Sequence, residues 1–161
     1  MEKAALKEHR RHSTADKPFS YYISNISEYF PNVPLHWHKE FELNVILEGK
    51  GDFVTGDKHF TAYKGDIVLT PPDMLHAVYQ HDDKRCVYDT LDLDGSMLGS
   101  HDNDRAADAF IAPLISGAYS IETHITPEHC YYSELLTTVE NMISAAKGDE
   151  HQHKDHLAHQ L

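Results

Sequence analysis

Two cysteines, Cys86 and Cys130, are too few and too far apart to form a disulfide framework, so covalent staples do not hold this chain together. No apolar run is long enough for a membrane span or a secretory leader, so the chain reads as a soluble, cytoplasmic protein with reduced thiols and no membrane partner. Basic residues are scarce as well. Fourteen Lys and Arg stand against 26 Asp and Glu, a formal net charge of -12 whose field repels phosphate backbones, so the chain alone should not grip nucleic acid. With 161 residues and 40% hydrophobic content, one core and one domain are expected. What the chain has in excess is histidine: 14 residues that titrate near neutral pH and ligate metals.

Hydropathy divides the chain into four stretches. Residues 1–17 are rich in Lys, Arg, Glu and His without periodicity and read as a flexible arm carrying no chemistry. Residues 18–97 carry short β-forming runs. Phe19 to Phe30 is an aromatic lead-in that Pro31 and Pro34 confine to an edge, and Leu43 to Leu47 is a buried strand running into Glu48-Gly49-Lys50-Gly51, a glycine-rich turn. A hairpin follows around Gly56-Asp57, then strands at Ile67 to Thr70, Met74 to Tyr79 and Arg85 to Leu93. Six or seven short strands at this spacing predict a sandwich or small barrel. Residues 98–126 form a connecting segment with an edge strand.

Residues 127–161 are helical in pattern. Leu135, Leu136, Val139, Met142, Ile143 and Ala146 share one stripe, with Thr126 placed as N-cap, Pro127 at the first helical position and Gly148 past the end. A second helix is expected from Asp149, with Gln152 in the capping-box position. Leu157 and Leu161 sit one turn apart where the chain stops, which suggests that the helix continues in a longer native protein.

The chemistry concentrates between Pro34 and His76. His36-Trp37-His38 leads to Glu42 and Gly49, and Gly65-Asp66 leads to Pro71 and His76. At this histidine density roughly one His-x-His pair arises by chance, and His151-Gln152-His153 has no supporting context. His36 and His38 alternate onto one side of a strand, Glu42 can rejoin them, and His76 can arrive from a strand distant in sequence. The four can hold a divalent ion such as Zn, Ni, Fe or Mn, or they can hydrogen-bond a polar ligand with no metal; the plain alternative is a structural cluster inside the barrel. By parity Asn44 and Tyr88 also face the interior. Trp37, Tyr21 and Tyr22 can stack on a sugar ring, though packing is the commoner fate of a strand aromatic. His151, His153, His156 and His159 suit a solvated helix face better than a metal site.

The run from His36-x-His38-x-x-x-Glu42-x6-Gly49 to Gly65-Asp66-x4-Pro71-x4-His76 resembles the paired motifs of the cupin superfamily, whose fold is a double-stranded β-helix, or jelly-roll, barrel. Phe30 and Asp73 stand where those motifs have glycine, and Gln80 where they have asparagine, which bears on turn geometry. Around the motifs, Pro34-Leu35-His36-Trp37-His38, Tyr63-Lys64-Gly65-Asp66-Ile67, Pro71-Pro72-Asp73-Met74-Leu75-His76 and Phe110-Ile111-Ala112-Pro113-Leu114 resemble the N-terminal sensing domain of AraC-type bacterial transcription regulators. That resemblance implies a mainly β chain, a cupin barrel followed by two C-terminal α-helices. It implies a small-molecule effector, commonly a carbohydrate, bound at His36, His38, Glu42 and His76 without turnover, and a homodimer through the C-terminal helices. DNA contact would come only through a C-terminal helix-turn-helix domain that this chain lacks. The other expectation is a stand-alone metal-dependent cupin enzyme, a dioxygenase or isomerase, using the same four residues as ligands.

Overall fold

The computed structural model describes residues 2–27, 30–98 and 107–148. Among the described residues eight strands follow in chain order: β1 (Phe19–Ile26), β2 (Asn32–His36), β3 (Phe41–Thr55), β4 (Lys58–Tyr63), β5 (Ile67–Thr70), β6 (His76–Gln80), β7 (Cys86–Leu93) and β8 (His124–Ile125). A single π-helical turn at Ala107–Ile111 leads into the short α1 (Ala112–Ile115), and α2 (Tyr132–Gly148) follows β8.

All strand pairs are antiparallel. One layer runs β1-β7-β3-β5-β8, and a second runs β4-β3-β6-β2, so β3 belongs to both. The sequence suggests a turn at Glu48 to Gly51, yet β3 continues through it as one 15-residue strand. What the glycines provide is a bulge: the register against β7 shifts between Ile46 and Glu48, and Gly49 takes φ 74. A Cβ on Gly49 would stand 1.8 Å from the carbonyl oxygen of Arg85, so only glycine lets β7 approach there. Residues up to Gly49 pair with β5 and β7, and those from Lys50 onward pair with β4 and β6. Asp73, which stands where the resembled motif has glycine, holds φ 60 and donates its N–H to the carbonyl of His38 (2.8 Å), so the left-handed turn survives the replacement.

Alternation splits each strand between two environments. Outward-facing Tyr21, Phe41, Leu43, Val45, Ile67, Leu91 and Leu93 pack against Val139, Ile143 and Ala146 of α2. Inward-facing Ile26, Ile46, Phe53, Ala62, Val68, Val78, Cys86 and Tyr88 fill one end of the barrel, drawn from both layers. Burial of these side chains is the main stabilising contribution, about 1.5–3 kcal/mol for each fully buried large residue.

Helix α2 begins five residues later than the capping pattern predicts. The carbonyl of Thr126 accepts from His129 N (3.1 Å), the carbonyl of His129 accepts from Tyr132 N (3.0 Å), and Thr126 N donates to the His129 ring (3.1 Å). These tight turns take up the groups that a helix from Pro127 would have used. The Tyr132 hydroxyl donates to the carbonyl of Gly65 (2.5 Å) and pins the first helical residue to the β4-β5 turn. At the other end Lys147 donates to Asp89 (3.0 Å), a buried carboxylate that also accepts from the Tyr21 hydroxyl (2.6 Å). Within residues 98–126 the two-residue β8 pairs with β5 at the edge of its layer, and the Phe110 stretch is helical. The second helix expected from Asp149, with its histidines, lies outside the described residues. Among the described residues no helix is long and apolar enough to cross a membrane.

Candidate functional site

The other end of the barrel interior is polar. His36 ends β2 opposite His76, which opens β6, and Thr55 of β3 lies opposite His76 on its other side. Glu42 follows one residue into β3, and His38 stands in the connection between β2 and β3. One donor atom from each of His36, His38, Glu42 and His76 lies within 4.8 Å of the others, so the four residues singled out in the sequence converge. His36, His38 and His76 are buried, His76 to 3% exposure.

Hydrogen bonds fix which nitrogens face inward. The Nδ1 atoms of His36 and His76 lie 2.8 Å from the carbonyls of Pro34 and Met74, and a carbonyl can only accept, so each Nδ1 carries a proton. In the neutral rings the Nε2 atoms then present lone pairs to the cluster. That of His76 stands 3.4 Å from Glu42 Oε2 and lacks a hydrogen bond; that of His36 stands 3.6 Å from Glu8 Oε2. His38 Nε2 lies 3.4 Å from Glu42 Oε2, while its Nδ1, 3.5 Å from Glu40, is also without a hydrogen bond. Lone pairs facing carboxylates are unfavourable unless a positive centre or a hydroxyl hydrogen lies between them. Separations of 3.4–3.6 Å are long for hydrogen bonds, yet donors bound to an ion at ~2.0–2.2 Å stand about 3.0–3.6 Å apart. Backbone carbonyls behind two of the imidazoles are the outer support that metal-binding histidines use. The residues present therefore fit a divalent ion.

A chain of buried hydrogen bonds orients the carboxylate. Asn44, 1% exposed, donates to Glu42 Oε1 (2.6 Å) and accepts from the Thr90 hydroxyl (2.7 Å), which lies 3.4 Å from Ser24. Oε1 is thereby occupied and Oε2 is left to the imidazoles. Asn44 thus faces the site as parity predicts, whereas Tyr88 faces inward at the apolar end.

Electrostatics follow the packing. Burial and the neighbouring His76 push His36 below the ordinary imidazole value, keeping it neutral. His38 rises to about 10, because Glu40 and Glu42 outweigh a burial that acts the other way. Burial likewise opposes the ionisation of Glu42, yet His76 and His38 hold its carboxyl well below the usual range, and Glu40 falls to about 2 beside His38 and Ser13.

The arm read as carrying no chemistry supplies part of this cluster. Its backbone pairs with Trp37, which donates N–H to the Leu6 carbonyl (3.1 Å) and accepts from Glu8 N (3.0 Å). His12, 3% exposed, reaches Glu8 (2.8 Å) and the buried Asp92 (2.7 Å). Burial opposes the charge on His12, but these two carboxylates raise it to about 10; burial raises Asp92 despite His12, so the pair keeps its proton across the neutral range. Asp92 was readable in principle, since it shares parity with Tyr88 and Thr90. Glu8 and His12 left only an i, i+4 spacing in a segment without strand pattern. Trp37 packs on the arm, with Lys3 and Lys7 over its ring at 5.3 and 5.4 Å, and Tyr21 faces α2. Tyr22 alone of the three aromatics reaches the cluster, its hydroxyl 3.2 Å from His12.

A family model described as the AraC-like ligand binding domain matches residues 20–161. An uncharacterized HTH-type transcriptional regulator of Bacillus subtilis (strain 168), YdeC, is 28% identical over 89 residues, which are 55% of this chain and 31% of that protein. The match thus spans about a third of the length of that curated relative. Among solved structures, a Cupin 2 conserved barrel domain protein from Salinispora arenicola shares 22% identity over 56% of this chain and 75% of its own, with a TM-score of 0.44. A cupin protein from Bacteroides fragilis shares 20% over 50% and 69%, with a TM-score of 0.43. The family match takes in the barrel, the connecting segment and α2, and the chain belongs to the AraC-like ligand binding domains, here a β-barrel followed by α2.

Proposed function

We propose that this domain is the effector sensor of a transcription regulator. It binds a small polar ligand, a sugar or sugar derivative, at His36, His38, Glu42 and His76, and the same four residues hold a divalent ion such as Mn, Fe, Ni or Zn. The supporting observation is the arrangement of acceptors: imidazole lone pairs and carboxylate oxygens converge in a buried space with the proton-bearing Nδ1 atoms of His36 and His76 turned away. Such a set calls for positive charge or for hydroxyl donors, and a sugar presents several hydroxyls. The ion would supply fixed positive charge and attraction for oxygen donors. Asn44 and Thr90 hold Glu42 in one orientation, and in the ion-free site Glu40 with Glu42 keeps His38 charged, so ligand hydroxyls meet a preorganised surface of acceptors with one donor; a bound ion would take the place of the His38 proton.

The signal passes as a population shift: an effector that favours one arrangement of the arm or of the C-terminal helices biases a DNA-binding domain elsewhere in the regulator. Homodimerisation through α2 and the residues after it, and DNA contact through that other domain, belong to the same reading. Binding, with no turnover, is the output.

A sugar panel with and without Mn2+ tests the site. A binder is expected to raise the melting temperature of the wild type, with about 2.7 kcal/mol of stabilisation at a hundredfold excess over Kd. His76→Ala should lose that shift. Equal shifts in both proteins would place the ligand elsewhere, and no shift with any sugar would remove the carbohydrate reading.

A further inference from the structure

The four-residue site is drawn wholly from the barrel, but the pairing between Lys7 and Trp37 brings a second carboxylate, and so a fifth potential donor, to its rim. The bridge is parallel, and alternation applies to both partners. Trp37 points away with Lys3 and Lys7 over its ring, while its neighbours His36 and His38 point inward. Glu8, one residue past Lys7, falls on the same side as the two histidines. Its Oε2 lies 3.6 Å from the unprotonated Nε2 of His36 and forms a second close set with His12 and His38. No proton stands between Glu8 and His36 in that tautomer, so their approach is not a hydrogen bond. At 13% side-chain exposure Glu8 has left most of its water behind, and its partner at hydrogen-bond distance is His12 (2.8 Å). Independently of Glu8, the buried His76 Nε2 points into the same space without a partner.

We infer that Glu8 is a further donor to a divalent cation held by His36, His38, Glu42 and His76, so that the ion joins the N-terminal arm to the barrel. This rests on the metal reading above and extends it to a residue outside both motifs. Glu8 is not within the 4.8 Å set formed by the other four, so the cation draws the arm inward as it binds and exchanges the contact with His12 for one to the ion. The chemistry suits a first-row ion that accepts imidazole and carboxylate together, with Mn2+ as a convenient probe because it binds exposed histidines weakly.

The experiment uses the whole chain in three forms: wild type, Glu8→Gln and His76→Ala. Mn2+ affinity is read from loss of the free-ion electron paramagnetic resonance signal, and arm docking from the rate of trypsin cleavage after Arg11, an exposed residue in the arm. The expected result is stoichiometric binding to the wild type, weakened about 10- to 100-fold by Glu8→Gln, the loss seen when the support of a metal site is removed, and abolished by His76→Ala. Mn2+ should slow cleavage after Arg11 in the wild type and leave it unchanged in both variants. If the wild type binds Mn2+ with the same affinity as Glu8→Gln and the ion does not alter cleavage, the role of Glu8 is overturned and the four-residue site stands. If the wild type binds no Mn2+, the four-residue reading falls and this inference falls with it. Should Glu8→Gln fail to give the wild-type circular dichroism spectrum, ion-dependent protection in the wild type against none in His76→Ala decides the question.

Discussion

The two ends of the barrel interior are built on the same strands and differ in almost every side chain. Along β3 the inward positions change from Ile46 through Asn44 to Glu42, and along β7 from Cys86 and Tyr88 through Thr90 to Asp92. β1 passes from Ile26 through Ser24 to Tyr22, and β6 from Val78 to His76. Neighbouring strands run in opposite directions, so the change runs forward in sequence on β7 and backward on β3, yet it points the same way in space. The gradient belongs to the barrel axis. One end contributes stability through packing, and the other gives up packing to hold polar groups that are only partly satisfied, as binding sites do.

The sharpest way to break that contrast is to cut both ends. Phe53→Ala should lower unfolding free energy by about 3–5 kcal/mol, whereas His76→Ala should change it by no more than about 1 kcal/mol in chelator-treated protein, both read by urea denaturation. Equal losses would mean that the polar end is structural after all. The next effect is set by pH. His12 is raised from an ordinary value near 6.5 to about 10. Its protonation therefore stabilises the metal-free fold fully below about pH 6.5, and that contribution, on the order of a few kcal/mol, is lost as pH rises through about 10. His12→Gln should flatten the decline of the melting temperature between pH 7 and 10; an unchanged slope would place the titrating group elsewhere.

Asn44→Ala probes the boundary between the two ends. It leaves Glu42 Oε1 without its donor and the Thr90 hydroxyl without its acceptor, and should cost about 1–3 kcal/mol by the same denaturation assay. The smallest expected effect lies outside the barrel. Lys147→Met removes a half-exposed ammonium from Asp89, which keeps Tyr21, so the loss should stay below about 1 kcal/mol. A larger loss would show that α2 depends on this contact more than on Val139, Ile143 and Ala146.

Much of this was legible in sequence because it is local. Ile67 to Thr70 is a strand with the boundaries expected, β7 starts one residue later than expected, and the Gly56-Asp57 turn closes the β3-β4 hairpin. The four site residues converge because strand parity and two turns suffice to aim them. The rest required partners that a local pattern does not contain. Gly49 reads as a turn until Arg85 is seen to need the space where its side chain would be. Thr126 reads as an N-cap until His129 and Tyr132 take up the groups it would have served. The arm reads as solvated because Glu8 and His12 are polar, and only Trp37 and Asp92, distant in sequence, give them a buried place.

The shared strand β3 has a consequence for how the molecule comes apart. Because residues before Gly49 hydrogen-bond into one layer and residues after it into the other, neither layer can open without pulling on the other through a continuous backbone. The barrel should behave as a single cooperative unit in native-state hydrogen exchange, with amides near Val45 and near Phe53 released in the same opening event despite lying on opposite sides of the bulge. The glycine that lets β7 approach thereby makes one unfolding transition of what would otherwise be two.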